Sequence, residues 1–149
     1  MNTVQQALRF KRVFNSPIAL VWKVYTQPEY ILQWWSPKDM ETTINDYEFR
    51  EGGSWEYVMK MPNGMEFLAE GLFKEIQSHK KIVTTANFKP KTEGIVLEVL
   101  FESNDDITEF TFNVVFPNED YKIEQEKMGV ASGWEAALDR LSEILWNLS

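Results

Sequence analysis

From Val130 to Leu148 the apolar residues Val130, Trp134, Ala137, Leu138, Leu141, Ile144, Leu145 and Leu148 recur three or four positions apart. That spacing predicts one long amphipathic helix with a single apolar face. Earlier in the chain the period is two. Leu8, Phe10, Arg12 and Phe14 alternate with Arg9, Lys11 and Val13, which predicts a first strand with one mostly apolar face. Ser16 is a preferred N-cap and Pro17 a preferred first helical residue, so a helix is expected from Pro17 to about Thr26. Pro28 restarts the helical pattern, and a second short helix through Tyr30, Ile31, Leu32 and Trp34 should end near Trp35, because Pro37 disfavours helical geometry at Ser36.

From Thr42 onward the chain reads as a meander of strands joined at Gly52-Gly53, Pro62-Asn63-Gly64, Gln77 to Lys80, Lys89 to Gly94 and Ser103 to Asp106. One connection fixes a register. Pro62 suits the second position of a type I turn and Gly64 the left-handed position after it, which gives a three-residue hairpin loop with Met61 facing Met65. A two-residue Asn-Gly loop would place Pro62 where its missing N–H should donate across the ladder. In the favoured register Met59 opposes Phe67, Tyr57 opposes Ala69 and Trp55 opposes Gly71 on one face. Large residues meet small ones, so space is expected above Ala69 and Gly71. Glu56 and Glu70 fall opposite each other on the outer face, solvated by water rather than poised for acid/base work.

The later strands keep the alternation, with Leu97, Val99 and Phe101 on one face and Phe110, Phe112, Val114 and Phe116 on the corresponding face of the next. Asp120 to Lys127 is charged and starts or precedes the final helix. Gly129 and Gly133 are costly within a helix, which predicts either fraying before Ser132 or close approach of the helix to the sheet. The long helix must lay its apolar face on the sheet or enclose something against it.

At 149 residues the chain is expected to form a single domain over 1–149. It has no cysteine, which removes disulfides, thiolate nucleophiles and cysteine metal sites. A net charge of -8, with only short groups of Lys and Arg, argues against a nucleic-acid partner. The stretch from Met1 to Leu8 has no basic region leading into an apolar one, and no later run is long enough for a membrane span, so the default expectation is a cytoplasmic protein. Six Trp, ten Phe and five Tyr supply side chains that either fill a core or wall a pocket.

The usual chemical signatures are missing. Gly52-Gly53 lacks the spacing of a nucleotide-binding loop and reads as a turn. His79 sits in a polar connection with no neighbouring partner for base or metal chemistry. Asp105-Asp106 fits a hairpin turn without calcium-loop spacing around it. No catalytic residue, metal site or cofactor is therefore expected. Tyr57 is the inward polar group that stands out, because its hydroxyl could orient a ligand in an otherwise apolar chamber or bond a backbone carbonyl. Trp34 and Trp35 are adjacent and point in different directions on a helix, one inward and the other toward an entrance or a neighbouring loop.

The order strand, two short helices, six-strand meander and long closing helix resembles the START-like (SRPBCC, helix-grip) superfamily. Ser16-Pro17 followed by Val21-Trp22, then Trp34-Trp35-Ser36-Pro37, Gly52-Gly53-Ser54-Trp55, Gly71 to Ile76, and Gly133-Trp134 with Leu138 and Leu141 look like the branch named for activators of the ninety-kilodalton heat-shock chaperone's ATPase. The resemblance covers about Phe10 to Leu148. It implies an α+β fold, a seven-stranded antiparallel sheet curled around the final helix, with a cavity between them that binds hydrophobic small molecules in many relatives. Catalytic relatives carry polar groups in that cavity, where this chain offers Tyr57 and no inward carboxylate or histidine.

The leading expectation is a non-enzymatic protein that takes a hydrophobic or aromatic small molecule between sheet and helix, lined by Trp34, Trp55, Tyr57, Met59, Phe112, Trp134 and Leu138. The alternatives are a chaperone-interacting module that uses the acidic outer surface, and a cyclase or hydrolase in the same cavity. The enzyme reading would need an inward carboxylate beside Tyr57. The two-residue hairpin register would supply one, Glu70. An exposed aromatic patch near Trp34-Trp35 would point to a homodimer.

Overall fold

Ser16 and Pro17 separate the first strand, β1 (Ala7–Phe14), from a pair of short helices, α1 (Ile18–Thr26) and α2 (Pro28–Trp34). The computed structural model describes residues 6–35, 39–89 and 92–148. Pro17 rather than Ser16 is the N-cap of α1, and no side chain caps that end. The Ser16 carbonyl instead accepts a buried 2.8 Å bond from the Thr108 hydroxyl, which ties the end of β1 to the strand paired with it. Ser36 and Pro37, expected to end the second helix, lie outside the described residues, as do Met1 to Gln5 and the middle of the Lys89 to Gly94 connection.

Six strands follow: β2 (Glu41–Tyr47), β3 (Ser54–Lys60), β4 (Glu66–Gln77), β5 (Lys81–Lys89), β6 (Thr92–Asn104) and β7 (Ile107–Val115). They form one seven-stranded antiparallel sheet in the order β1-β7-β6-β5-β4-β3-β2. The helices α1 and α2 carry the chain from one sheet edge to the other. Register shifts between Ile44 and Asp46, Phe73 and Glu75, and Ala86 and Phe88 mark bulges, which bend strands and curl a sheet about what lies on its concave face.

The hairpin register is the one the turn chemistry dictates. Gly64 takes a φ of 90°, the Met61 N–H donates to the Met65 carbonyl at 2.8 Å, and Tyr57 pairs with Ala69 and Trp55 with Gly71. The space expected above Gly71 is filled, because the Trp55 indole lies over it: a Cβ at position 71 would stand 2.6 Å from the Trp55 Nε1. Glu70 stays on the Glu56 face, where it pairs with Lys89 at 3.2 Å, while Glu56 accepts from the Asn45 amide at 3.2 Å.

Asp120 to Lys127 belongs to a helix of its own, α3 (Glu119–Lys127), with Asn118 as N-cap accepting from the Tyr121 N–H. Gly129, at a φ of 83°, breaks the helix before α4 (Val130–Leu148). Fraying before Ser132 does not occur, and Gly133 does not bring α4 against the sheet: a Cβ there would meet nothing within 4 Å. The apolar face divides along its length. Leu138, Leu141 and Leu145 are all at most 2% exposed and fill the core with Val21, Val24, Phe110 and Phe112. Toward the other end the face carries Gly133, Ala136 and Ala137, and the packing opens.

Candidate ligand cavity

The small residues of α4 leave a cavity of about 340 Å³ between the helix and the sheet. Its helix wall is Val130, Gly133, Trp134, Ala136, Ala137 and Arg140, positions that recur on one face of α4. Met59 of β3, Phe88 of β5, Ile95 of β6 and Val114 of β7 form the sheet wall, and Trp35 stands at the end of α2. Among the described residues only two on the lining, Gln125 and Arg140, carry long polar side chains. The volume falls within the roughly 300–1,000 Å³ span of small-molecule pockets, and the near-absence of polar lining matches their usual character.

Trp35 organises the wall. Its ring packs against Trp55, Tyr57, Phe88 and Trp134 at centroid distances of 5.7, 5.1, 6.2 and 5.9 Å. Trp34, its neighbour, turns into the core: it is 2% exposed, stacks on Tyr25 at 5.0 Å and donates its Nε1–H to the Val24 carbonyl at 3.0 Å. The pair therefore presents no exposed aromatic patch of the kind that would point to a homodimer.

Of the residues expected to line a site, Met59 and Trp134 stand on this cavity. Trp34, Trp55 and Tyr57 surround a separate void of about 30 Å³, room for a water molecule rather than a ligand. Phe112 and Leu138 are buried and line neither void, with Phe112 touching Trp134 at a ring distance of 5.0 Å. The Tyr57 hydroxyl forms no hydrogen bond among the described residues, and burial holds its pKa well above the ordinary tyrosine value. Of the adjacent pair expected to point one inward and one toward an entrance or a neighbouring loop, Trp35 is the one on the cavity, whereas Phe88, Gly133 and Arg140 were not among the expected lining. The row Val130, Gly133, Ala137 and Arg140 does carry a signal in the sequence, since residues three or four apart on a helix share a face and two of these are too small to reach the sheet.

Arg140 sits where α4 passes the end of α2. Its Nε donates to the Trp34 carbonyl at 3.1 Å and its Nη2 to the Trp35 carbonyl at 3.4 Å. These are the carbonyls at the negative end of the helix dipole, a favourable place for a cation. Desolvation by burial lowers the guanidinium pKa, opposed by the negative charge of Asp139. His79 lies away from this region, exposed at a φ of 62° with its ring against Trp22 at 5.4 Å. Among the described residues no cluster of three His, Asp or Glu side chains could hold a metal ion, and no helix is long and apolar enough to cross a membrane.

A sheet wrapped around a long C-terminal helix, with two short helices after the first strand and a cavity under the closing helix, agrees with a family match over residues 15–146 to "Activator of Hsp90 ATPase homolog 1-like protein". The chain belongs to this family. Its fold is that of AHSA1-like proteins in solved structures. A crystal structure from Mycobacterium smegmatis is 19% identical with a TM-score of 0.86, over 99% of this chain and 96% of that one. A Nitrosomonas europaea protein is 25% identical with a TM-score of 0.81, over 96% of both chains. An AHSA1-like protein from Aeromonas hydrophila is 18% identical with a TM-score of 0.74, over 95% of this chain and 94% of its own. No curated protein matches the chain in sequence. The AHSA1-like fold commonly carries a ligand-binding cavity.

Proposed function

We propose that this AHSA1-like chain binds an apolar or aromatic small molecule in the cavity under the first half of α4. The observation that carries the proposal is the gap left by Gly133, Ala136 and Ala137 opposite a wall of aromatic and aliphatic side chains, about 340 Å³ in volume. A core that needed only stability would fill such a space, because a void forfeits contacts on every side. Affinity would come from removing apolar surface from water, roughly 25 cal/mol per Å², with the aromatic edges of Trp35, Phe88 and Trp134 selecting flat or slender shapes.

N-Phenyl-naphthylamine, a neutral dye that brightens in apolar surroundings, tests this in parallel with native mass spectrometry. The wild-type chain should bind the dye, and Gly133→Leu, which fills the cavity from the helix side, should not while still melting cooperatively. Equal dye binding by the two chains, or none by the wild type across a panel of neutral apolar compounds, would overturn the proposal.

A further inference from the structure

We infer that the ligand of this cavity carries an anionic head, a carboxylate or its chemical equivalent, which meets Arg140. The inference rests on the cavity-binding reading above and names the class of ligand. Among the described residues Arg140 is the one cationic residue on the lining, and they place no Asp or Glu there to neutralise it. Its neighbour in sequence, Asp139, forms its 2.6 Å ion pair with Arg12, so its charge reaches Arg140 only from beyond ion-pair distance. Among the described residues Arg140 forms no ion pair of its own.

Among the described residues its hydrogen bonding is incomplete as well. A guanidinium presents five N–H donors in a rigid fork. Here Nε and Nη2 are anchored on the carbonyls of Trp34 and Trp35, and Nη1 has no hydrogen-bond partner among the described residues. The two anchors fix the plane of the group before a ligand arrives, and Arg140 is part of the cavity lining. A partly desolvated, pre-oriented cation next to an apolar chamber suits a molecule with an apolar body and one charged oxygen terminus.

The chain's net charge of -8 works against capture of an anion at long range. The preference must therefore arise at contact, and it is best measured near physiological salt, which screens distant charges more than a half-buried pair. Decanoate and decanol share one apolar chain and differ in the head. In a chamber without a cation the alcohol would bind better, because a carboxylate is costlier to take out of water.

Competition of the two compounds against N-phenyl-naphthylamine at neutral pH decides the matter. Decanoate should displace the dye from the wild-type chain at roughly tenfold lower concentration than decanol. Arg140→Gln should remove that preference by weakening decanoate more than decanol, and Arg140→Lys should keep part of it. If decanol competes as well as decanoate on the wild type, or if Arg140→Gln weakens both alike, the guanidinium serves only to hold α2 and the inference falls. If neither compound displaces the dye and the dye itself binds nowhere, it is the cavity reading that has failed. The wild-type comparison needs no variant and stands even if Arg140→Gln does not fold.

Discussion

The indole Nε1 of Trp55 donates to the hydroxyl of Thr84 at 2.7 Å, across the intervening strand and over the bare backbone of Gly71. The Thr84 proton turns to the carbonyls of Leu72 or Thr85, so one buried hydroxyl serves as acceptor and donor at once. Thr84→Val keeps the shape and removes both roles. It should cost about 1–3 kcal/mol by leaving the indole N–H buried without a partner. Gly71→Ala should cost at least as much, because its Cβ would stand 2.0 Å from the Thr85 carbonyl oxygen as well as against the indole. Urea unfolding of each variant, followed by tryptophan fluorescence, measures both.

Gly133 separates stability from binding. Nothing lies within 4 Å of a Cβ at this position, and the residue is inside a helix. Gly133→Ala should therefore stabilise the chain by up to about 1 kcal/mol through helix propensity alone. A rise in melting temperature for the alanine variant, with dye binding retained, is the expected result.

Gly129 has the opposite sign. Its φ of 83° is left-handed while its surroundings are equally open, so the penalty of a side chain there is purely conformational. Gly129→Ala should lose about 1–2 kcal/mol. Thermal melts of the two alanine variants, measured side by side, should move in opposite directions.

Alkaline pH should unfold the protein. Burial raises the pKa of Tyr25, Tyr47 and Tyr57 far above the ordinary tyrosine value, and Tyr57 feels Tyr47 and Tyr25 besides. Below a pH of about 10 both folded and unfolded chains keep these protons, and stability is unaffected. Above it the unfolded chain releases them while the folded chain holds them, so stability falls by about 1.4 kcal/mol per pH unit for each tyrosine. Urea midpoints measured on either side of that pH should drop steeply, and the tyrosinate absorbance should appear together with unfolding.

Local chemistry made the strands legible. Pro62 and Gly64 select a single loop, and that loop fixes which residues face one another from Met61 to Trp55. The cavity was less so. Pairing large residues with small ones suggested space above Gly71, yet a cross-strand pattern does not say which way a large ring will lean, and Trp55 leaned over the glycine. Trp34 and Trp35 posed a similar problem, since which of two adjacent rings faces the core depends on the angle between α2 and the sheet. The space proved to come from α4, where Gly133 and Ala137 interrupt a row that otherwise reads as continuous packing. Arg140 escaped notice because its partners, the carbonyls of Trp34 and Trp35, are backbone atoms far away in the chain.

The order of strands has a consequence for how the chain folds. β1 lies at one sheet edge and its ladder partner is β7, so Arg9 reaches Asn113 across 104 positions of sequence. The hairpins from β2 to β7 can close in succession by short loops, but β1 must wait until almost all of them have formed. On a ribosome the first strand to emerge would be the last to find its hydrogen bonds, and in the meantime it exposes Phe10 and Phe14 to any other unpaired edge. A circular permutation that opens the chain before α1 and joins the end of α4 to β1 would leave only α3 and α4 between β7 and β1, and refolding should then be faster and less prone to aggregation even where the final stability is unchanged.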